Sequence, residues 1–245
     1  MILYGRNPVR EALRGRRAAS VGEVWATGGA VREPWLVGVP VRTVAAEEIE
    51  RRCGSEAHQG VCAQAGPYPY VSADQLLAGA EPLIVALDQV QDPQNLGSIC
   101  RTAECAGAAG VVIPERRAAE VTPAVCKASA GAVEHLSVVR VRNLADFLAD
   151  ARNAGCWCYG ASAEGQPGSE RSGEHAPVPY DTPDYGGAGI VLVLGSEGAG
   201  LRPRVAKACD QLIALPLLGR IESLGVSAAA AALLYEILQS RLARS

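Results

Sequence analysis

Aromatic residues make up only 4% of this 245-residue chain, although 49% of it is hydrophobic. Alanine, valine and leucine must therefore build the core. Apolar runs are short, and none reaches the roughly 18 residues of a membrane-spanning helix. The start, Met1-Ile-Leu-Tyr-Gly-Arg-Asn7, lacks the charged-then-apolar pattern of a secretory signal. These absences predict a cytoplasmic protein with no membrane partner. Lysine occurs only at Lys127 and Lys207, so arginine carries almost all the positive charge. The eight cysteines form no Cys-x-x-Cys pair, and His58, His135 and His175 are scattered. That spacing predicts no metal site. It fits reduced cysteines that pack as small hydrophobes.

What is present divides the chain in two. Residues 1–20 hold Arg6, Arg10, Arg14, Arg16 and Arg17 against Glu11 alone, although the whole chain carries a net charge of -3. Asn7-Pro8 reads as an N-cap followed by proline at the first helical position. A helix over 8–17 would put Arg10, Arg14 and Arg17 on one face. Such a face is either a solvated surface or a phosphate contact, for which guanidinium forks are well shaped. Strands over 22–26 and 39–44, a helix over 45–52 and a last strand after His58 complete a small α/β domain, residues 1–65. The segment Gly66-Pro-Tyr-Pro-Tyr70 breaks the pattern twice and predicts a linker over 66–80.

Residues 81–245 alternate between strand and helix patterns. Leu83–Leu87 is a continuous apolar strand, as in a sheet covered on both faces. Further strands are expected at 110–113, 137–142, 156–160, 190–194 and 212–215. Helices are expected from Asn95 to about Ala108, then at 121–129, 143–154, 202–208 and 226–242, with a long loop over 163–188. This predicts an α/β fold, a parallel sheet with helices on both faces.

Three loops stand out, each after a strand-like run: Asp92-Pro-Gln-Asn95-Leu-Gly97-Ser-Ile-Cys-Arg101, Gly195-Ser-Glu197-Gly198-Ala-Gly200-Leu201, and Leu215-Pro216-Leu-Leu-Gly219-Arg-Ile-Glu-Ser223-Leu224-Gly225-Val-Ser227. Loops at the carboxyl ends of parallel strands are where such sheets bind ligands. The second loop does not match the dinucleotide fingerprint G-x-G-x-x-G, which disfavours an oxidoreductase. Glu197 there would also repel a phosphate. Taken singly, Asn95 reads as a helix cap, Arg101 as a surface charge and Ser223 as a cap for the helix at 226. Gly97 would let a neighbouring chain approach closely.

In order and content the three loops resemble the motifs of the SpoU (TrmH-like) ribose 2′-O-methyltransferases, over roughly residues 81–242. The stretch Lys127-Ala-Ser-Ala-Gly-Ala-Val-Glu-His135, the start Leu3-Tyr-Gly-Arg-Asn-Pro-Val-Arg-Glu-Ala-Leu13, and His58-Gln-Gly-Val61 resemble the bacterial branch that methylates a guanosine ribose in 23S ribosomal RNA. The resemblance implies a C-terminal trefoil knot and S-adenosylmethionine held in the knot crevice by Gly195, Leu215 and Leu224. It implies catalytic or positioning roles for Asn95, Arg101, Glu197 and Ser223, with Arg101 at the ribose hydroxyl as base or as electrostatic stabiliser. It further implies a homodimer and an N-terminal L30e-like (ribosomal-protein-like) domain; the basic cluster of Arg6, Arg10, Arg14 and Arg17 predicts that this domain binds RNA phosphates. A transfer RNA ribose methyltransferase and a catalytically impaired RNA-binding homologue are the alternatives. Gly225 motivates the second, because the family usually carries asparagine there.

Overall fold

The computed structural model describes residues 1–162, 176–221 and 223–244. His175 lies outside them, as does the first part of the loop expected over 163–188. The N-terminal domain comprises β1 (Ile2–Tyr4), α1 (Arg6–Ala12), β2 (Val21–Ala26), β3 (Val41–Thr43), α2 (Ala46–Cys53) and β4 (Val61–Ala65). Its sheet has the order β1-β4-β2-β3. β4 runs antiparallel to both its neighbours, and β2 pairs in parallel with β3. Leu3, Val9, Ala12, Val24, Ala26, Val61 and Ala63 close its core.

Two expectations fail at α1. Gly5 is the N-cap, with φ of 95°, and Asn7 lies inside the helix. The helix also ends at Ala12, because Gly15 carries the chain into contact with Glu134, whose Cβ would lie 2.6 Å from a Cβ at that position. Arg14 and Arg17 are therefore not on the helix.

The segment 66–80 is not an open linker. Tyr68 is buried, and its hydroxyl donates within 2.8 Å of the Val133 carbonyl and 2.9 Å of the Leu136 carbonyl. Ser72 and Gln75 form a reciprocal capping box at α3 (Ala73–Leu77).

The second domain continues with β5 (Leu83–Asp88), α4 (Pro93–Cys105), β6 (Gly110–Pro114), α5 (Pro123–Ala128), β7 (Ser137–Val141), α6 (Leu144–Asn153), β8 (Cys156–Ala161), β9 (Val178–Pro179), β10 (Gly189–Gly195), α7 (Pro203–Ala208), β11 (Gln211–Ala214) and α8 (Val226–Leu242). β9, a short edge strand, falls where an irregular loop was expected. The seven strands are all parallel, in the order β7-β6-β5-β10-β8-β11-β9.

Alternate side chains of the central strands point to opposite faces. Leu83, Val85, Leu87, Ile190, Leu192 and Leu194 face α4, α5 and α8. Ile84, Ala86, Val191 and Val193 face α6 and α7. Both faces are covered, so every position of β5 is buried. No helix among the described residues is long and apolar enough to cross a membrane.

Candidate active site

The three loops meet at the carboxyl ends of β5, β10 and β11, which are neighbours or near neighbours in the sheet. The first begins with Asp92, not Asn95, as the cap of α4. Asp92 accepts from the backbone N–H groups of Gln94 (3.2 Å) and Asn95 (3.0 Å), with Pro93 at the first helical position. That frees the Asn95 side chain. Its amide donates to Glu197 Oε1 at 3.1 Å, across 102 residues of sequence, and joins the first loop to the second. Gly97 sits under α5, where a Cβ would lie 2.9 Å from the Ser129 backbone nitrogen and nearer still to the Ala128 Cβ. The glycine is a packing requirement, as its place in the loop implied.

The second loop turns back on itself. Ser196 N–H donates to the Gly200 carbonyl at 3.2 Å, and Gly200 N–H to the Ser196 carbonyl at 3.0 Å. Gly198 and Gly200 take positive φ of 81° and 64°, which glycine adopts without a Cβ clash. Gly195 is fixed more tightly: a Cβ there would lie 2.5 Å from the Leu201 nitrogen and closer to Gly200. The loop is anchored by Asp88, a fully buried carboxylate at the end of β5. Asp88 accepts from Arg202 N–H at 2.8 Å and from Arg202 Nε at 2.7 Å. Sequence reasoning passed over this pair, although an aspartate ending an otherwise apolar strand was visible.

The third loop closes a cavity of about 740 Å³. Gly195, Glu197 and Gly198 line it from the second loop, and Leu215, Ser223, Leu224 and Gly225 from the third. Ala161 and Ser162, at the end of β8, were not foreseen in its wall. The cavity is mostly apolar, with hydroxyls, exposed glycine backbone and one carboxylate at its edge. Ser223 does not cap α8, because Gly225 occupies the N-cap position without a side-chain bond. A Cβ on Gly225 would lie 3.5 Å from Glu197 Oε1, an ordinary contact, so glycine leaves room there. Among the described residues, the Asn95 amide is the hydrogen-bond partner of Glu197.

Arg101 lies elsewhere. It is exposed on α4, outside the cavity wall, and makes no hydrogen bond or ion pair among the described residues. Six residues separate it from Asn95, which at 100° per residue turns it roughly 120° away and sets it about 9 Å along the axis.

Four arginines were assigned to an RNA-binding face, and one of them is not on the surface. Arg17 is buried, with its Nε 2.9 Å from Glu134 Oε2 and its Nη2 against Glu134 Oε1. It lies 5.4 Å from the centre of the Tyr68 ring and ties the two domains together. Arg6 pairs with Glu33 at 2.7 Å and Arg10 with Glu11 at 2.6 Å, while Arg14 is exposed. Among the described residues, no group of three His, Cys, Asp or Glu side chains converges as metal ligands.

Residues 82–235 match the model of the SpoU rRNA methylase family, and residues 2–71 match that of the RNA 2′-O ribose methyltransferase substrate-binding domain. The chain belongs to the SpoU family. Among relatives of known sequence it is similar to YacO of Bacillus subtilis, described as a TrmH-family tRNA/rRNA methyltransferase. The two are 39% identical over 209 residues, covering 83% of this chain and 79% of that protein. Two solved structures share the fold of nearly the whole chain. An rRNA methyltransferase from Sinorhizobium meliloti with AdoMet bound superposes with a TM-score of 0.77 at 26% identity, covering 97% of this chain and 86% of its own. The SpoU methyltransferase AviRb from Streptomyces viridochromogenes, also with AdoMet, superposes with a TM-score of 0.79 at 25% identity, covering 99% and 90%. Both similarities span the N-terminal domain as well as the seven-stranded sheet.

Proposed function

We propose that this SpoU-family RNA methyltransferase moves a methyl group from S-adenosylmethionine to a ribose 2′-hydroxyl, and that its target is a guanosine of 23S ribosomal RNA in the cytoplasm. The observation that carries the reading is the convergence of Asn95, Glu197 and the 223–225 turn at one glycine-rich cavity. The cavity suits S-adenosylmethionine in size, since drug-sized ligands occupy roughly 300–1,000 Å³. It suits it in chemistry too. Leu215 and Leu224 offer apolar walls for a purine, Gly195 offers backbone that no side chain covers, and Glu197 brings a negative charge towards a cationic ligand. A trefoil knot in the C-terminal part, with the third loop passing beside the second, belongs to the same reading.

Bound there, S-adenosylmethionine supplies an electrophilic methyl group. The chain's own residues do the rest. A ribose hydroxyl is a poor nucleophile until its proton leaves, so the developing alkoxide needs a donor. Arg101 is that donor, since a guanidinium at neutral pH gives hydrogen bonds and accepts none, and the hydroxyl proton passes to solvent water. Asn95 orients the Glu197 carboxylate, and Ser223 positions the ribose beside it.

Arg101 points away from Asn95 within one chain, so a homodimer in which α4 of one subunit faces the cavity of the other completes the site. The face of α4 formed by half-buried Ser98 and exposed Arg101 and Cys105 is suited to such a junction. Arg6, Arg10 and Arg14 of the N-terminal domain hold RNA phosphates. A catalytically impaired homologue is the second reading, because Gly225 leaves Glu197 without a neighbouring amide from the third loop. The test is to map 2′-O-methyl groups in ribosomal and transfer RNA from cells with and without the gene. Loss of one methylated guanosine in 23S RNA is expected. Loss of a transfer RNA site would move the substrate, and no change in either would favour the impaired homologue.

A further inference from the structure

The loop over 115–122, which follows β6, has no role in the cavity. Its residues are Glu-Arg-Arg-Ala-Ala-Glu-Val-Thr. It emerges from the same sheet edge as the first loop, because β6 pairs in parallel with β5. It is held at three points by backbone N–H groups. Glu115 donates to the Val141 carbonyl at 2.8 Å, Ala119 to the Val90 carbonyl at 2.9 Å, and Val121 to the Tyr70 hydroxyl at 2.9 Å. The second of these bonds fixes it directly against the start of the first loop.

Its charges are sorted. Both acids are engaged by arginines of the neighbouring strand end: Glu120 by Arg140 at 2.9 Å, and Glu115 by Arg142 at 4.0 Å. Arg140 in turn lies 5.4 Å from the centre of the Tyr70 ring, which also bonds the loop. Arg116 and Arg117 are left exposed, and among the described residues neither has a hydrogen-bond or ion-pair partner. Arg117 takes a positive φ of 58°. A long side chain rarely adopts that conformation, and it persists where the surroundings impose it. A pinned loop that neutralises its own acids and presents two free guanidinium forks is built for an anion.

We propose that Arg116 and Arg117 grip backbone phosphates of the RNA strand beside the target nucleotide, and so position the ribose at the cavity. The inference rests on the reading of the protein as an RNA methyltransferase. Phosphate is the ligand chemistry that two adjacent forks match. The placement between the first loop and the β7 edge sets them on the carboxyl edge of the sheet, the edge that also carries the three site loops. They are positioning residues, so they should govern RNA affinity and leave the chemical step alone.

The experiment uses the full-length protein and an unmodified 23S ribosomal RNA transcript. The variant is Arg116→Ala with Arg117→Asn, since asparagine tolerates positive φ. Binding is measured across a potassium chloride series, alongside methyl transfer and calorimetric titration with S-adenosylmethionine. Each lost phosphate contact lowers the slope of log Kd against log salt by about 0.7 to 0.9. The double variant should therefore lose roughly 1.5 in slope, and its KM for RNA should rise by about tenfold. Its kcat and cofactor affinity should hold. Lysine at both positions should restore the slope, because the charge returns.

An unchanged slope, or a fall in kcat at constant KM, overturns the proposal. If the double variant melts early, Arg116→Ala alone carries the test with half the slope change. Wild-type protein that binds the transcript but never methylates it refutes the proposed activity while the slope still reports on the loop. Wild-type protein that does not bind it refutes both.

Discussion

At the scale of residues, the structure separates a cavity built within one chain from the guanidinium that the proposed mechanism requires. Glu197, Asn95, Gly195 and Ser223 converge, whereas Arg101 stands apart on the open face of α4. Arg101→Ala should therefore lower methyl transfer by at least about a hundredfold, the scale on which a positioned transition-state donor acts. S-adenosylmethionine binding should be unaffected, because Arg101 is outside the cavity wall of its own chain and its proposed role is at the ribose hydroxyl. Calorimetry and tritium transfer on one preparation decide this, and near-normal turnover would remove Arg101 from the mechanism.

The cysteines allow a second residue-level prediction. Burial pushes the thiols of Cys100, Cys126 and Cys209 up to about 12, and that of Cys62 up to about 11. The thiolate is the reactive form, so a raised value means less reaction at any working pH. Cys105 is exposed and Cys53 half-buried. A thiol reagent at pH 8 should modify Cys105 and Cys53 ahead of the other six in the native protein, with Cys105 slowed where the proposed dimer covers α4. Rapid labelling of the other six without denaturant would contradict the packing described here.

At the scale of elements, much of the sheet was legible because continuous apolar runs such as Leu83–Leu87 and Ile190–Leu194 are bounded by proline, glycine or aspartate. Helix ends were less legible. Asp92 and Asn95 are equally good caps by composition, and only the geometry of Pro93 between them selects Asp92. Ser223 loses its expected cap role because the chain at Leu224 and Gly225 is used to line the cavity.

Helix α8 carries the clearest element-level surplus. Leu233, Leu234 and Ile237 are buried against the sheet, yet Ala228, Ala232, Tyr235, Gln239 and Leu242 are all exposed. Their spacing of four, three, four and three puts them on one face, the face that would form the seam in the proposed dimer. Tyr235→Glu should place a charge in that seam and disrupt the proposed dimer. Light scattering at micromolar concentration should report about twice the 25.4 kDa chain mass for the wild type and the chain mass for the variant. A wild-type particle of one chain mass would refute the shared site.

At the scale of the whole molecule, the two domains are joined by buried charge. Arg17 and Glu134 are 117 residues apart in sequence, and nothing local in either segment marks the partnership. The five arginines of residues 1–20 look alike in sequence. Only the fold shows that the chain after Gly15 turns inward and takes Arg17 with it, while Arg16 reaches Ser137 at 2.6 Å. His135 beside Glu134 meets Glu11 at 2.9 Å, so the stretch from Lys127 to His135 is a seat for the first domain.

Removing one partner of a buried pair strands the other charge, at a cost of about 3–5 kcal/mol. Replacing both with apolar residues of similar size is often close to neutral. Arg17→Met alone and Glu134→Leu alone should therefore each lower the urea midpoint sharply. The double variant should recover most of the loss, with a coupling well above the roughly 0.5 kcal/mol expected of independent sites. Methylation should follow the same order, because a domain that swings freely no longer presents its RNA to the cavity at a fixed distance. Additive losses in the double variant would show that the two residues act separately and that something else holds the domains together.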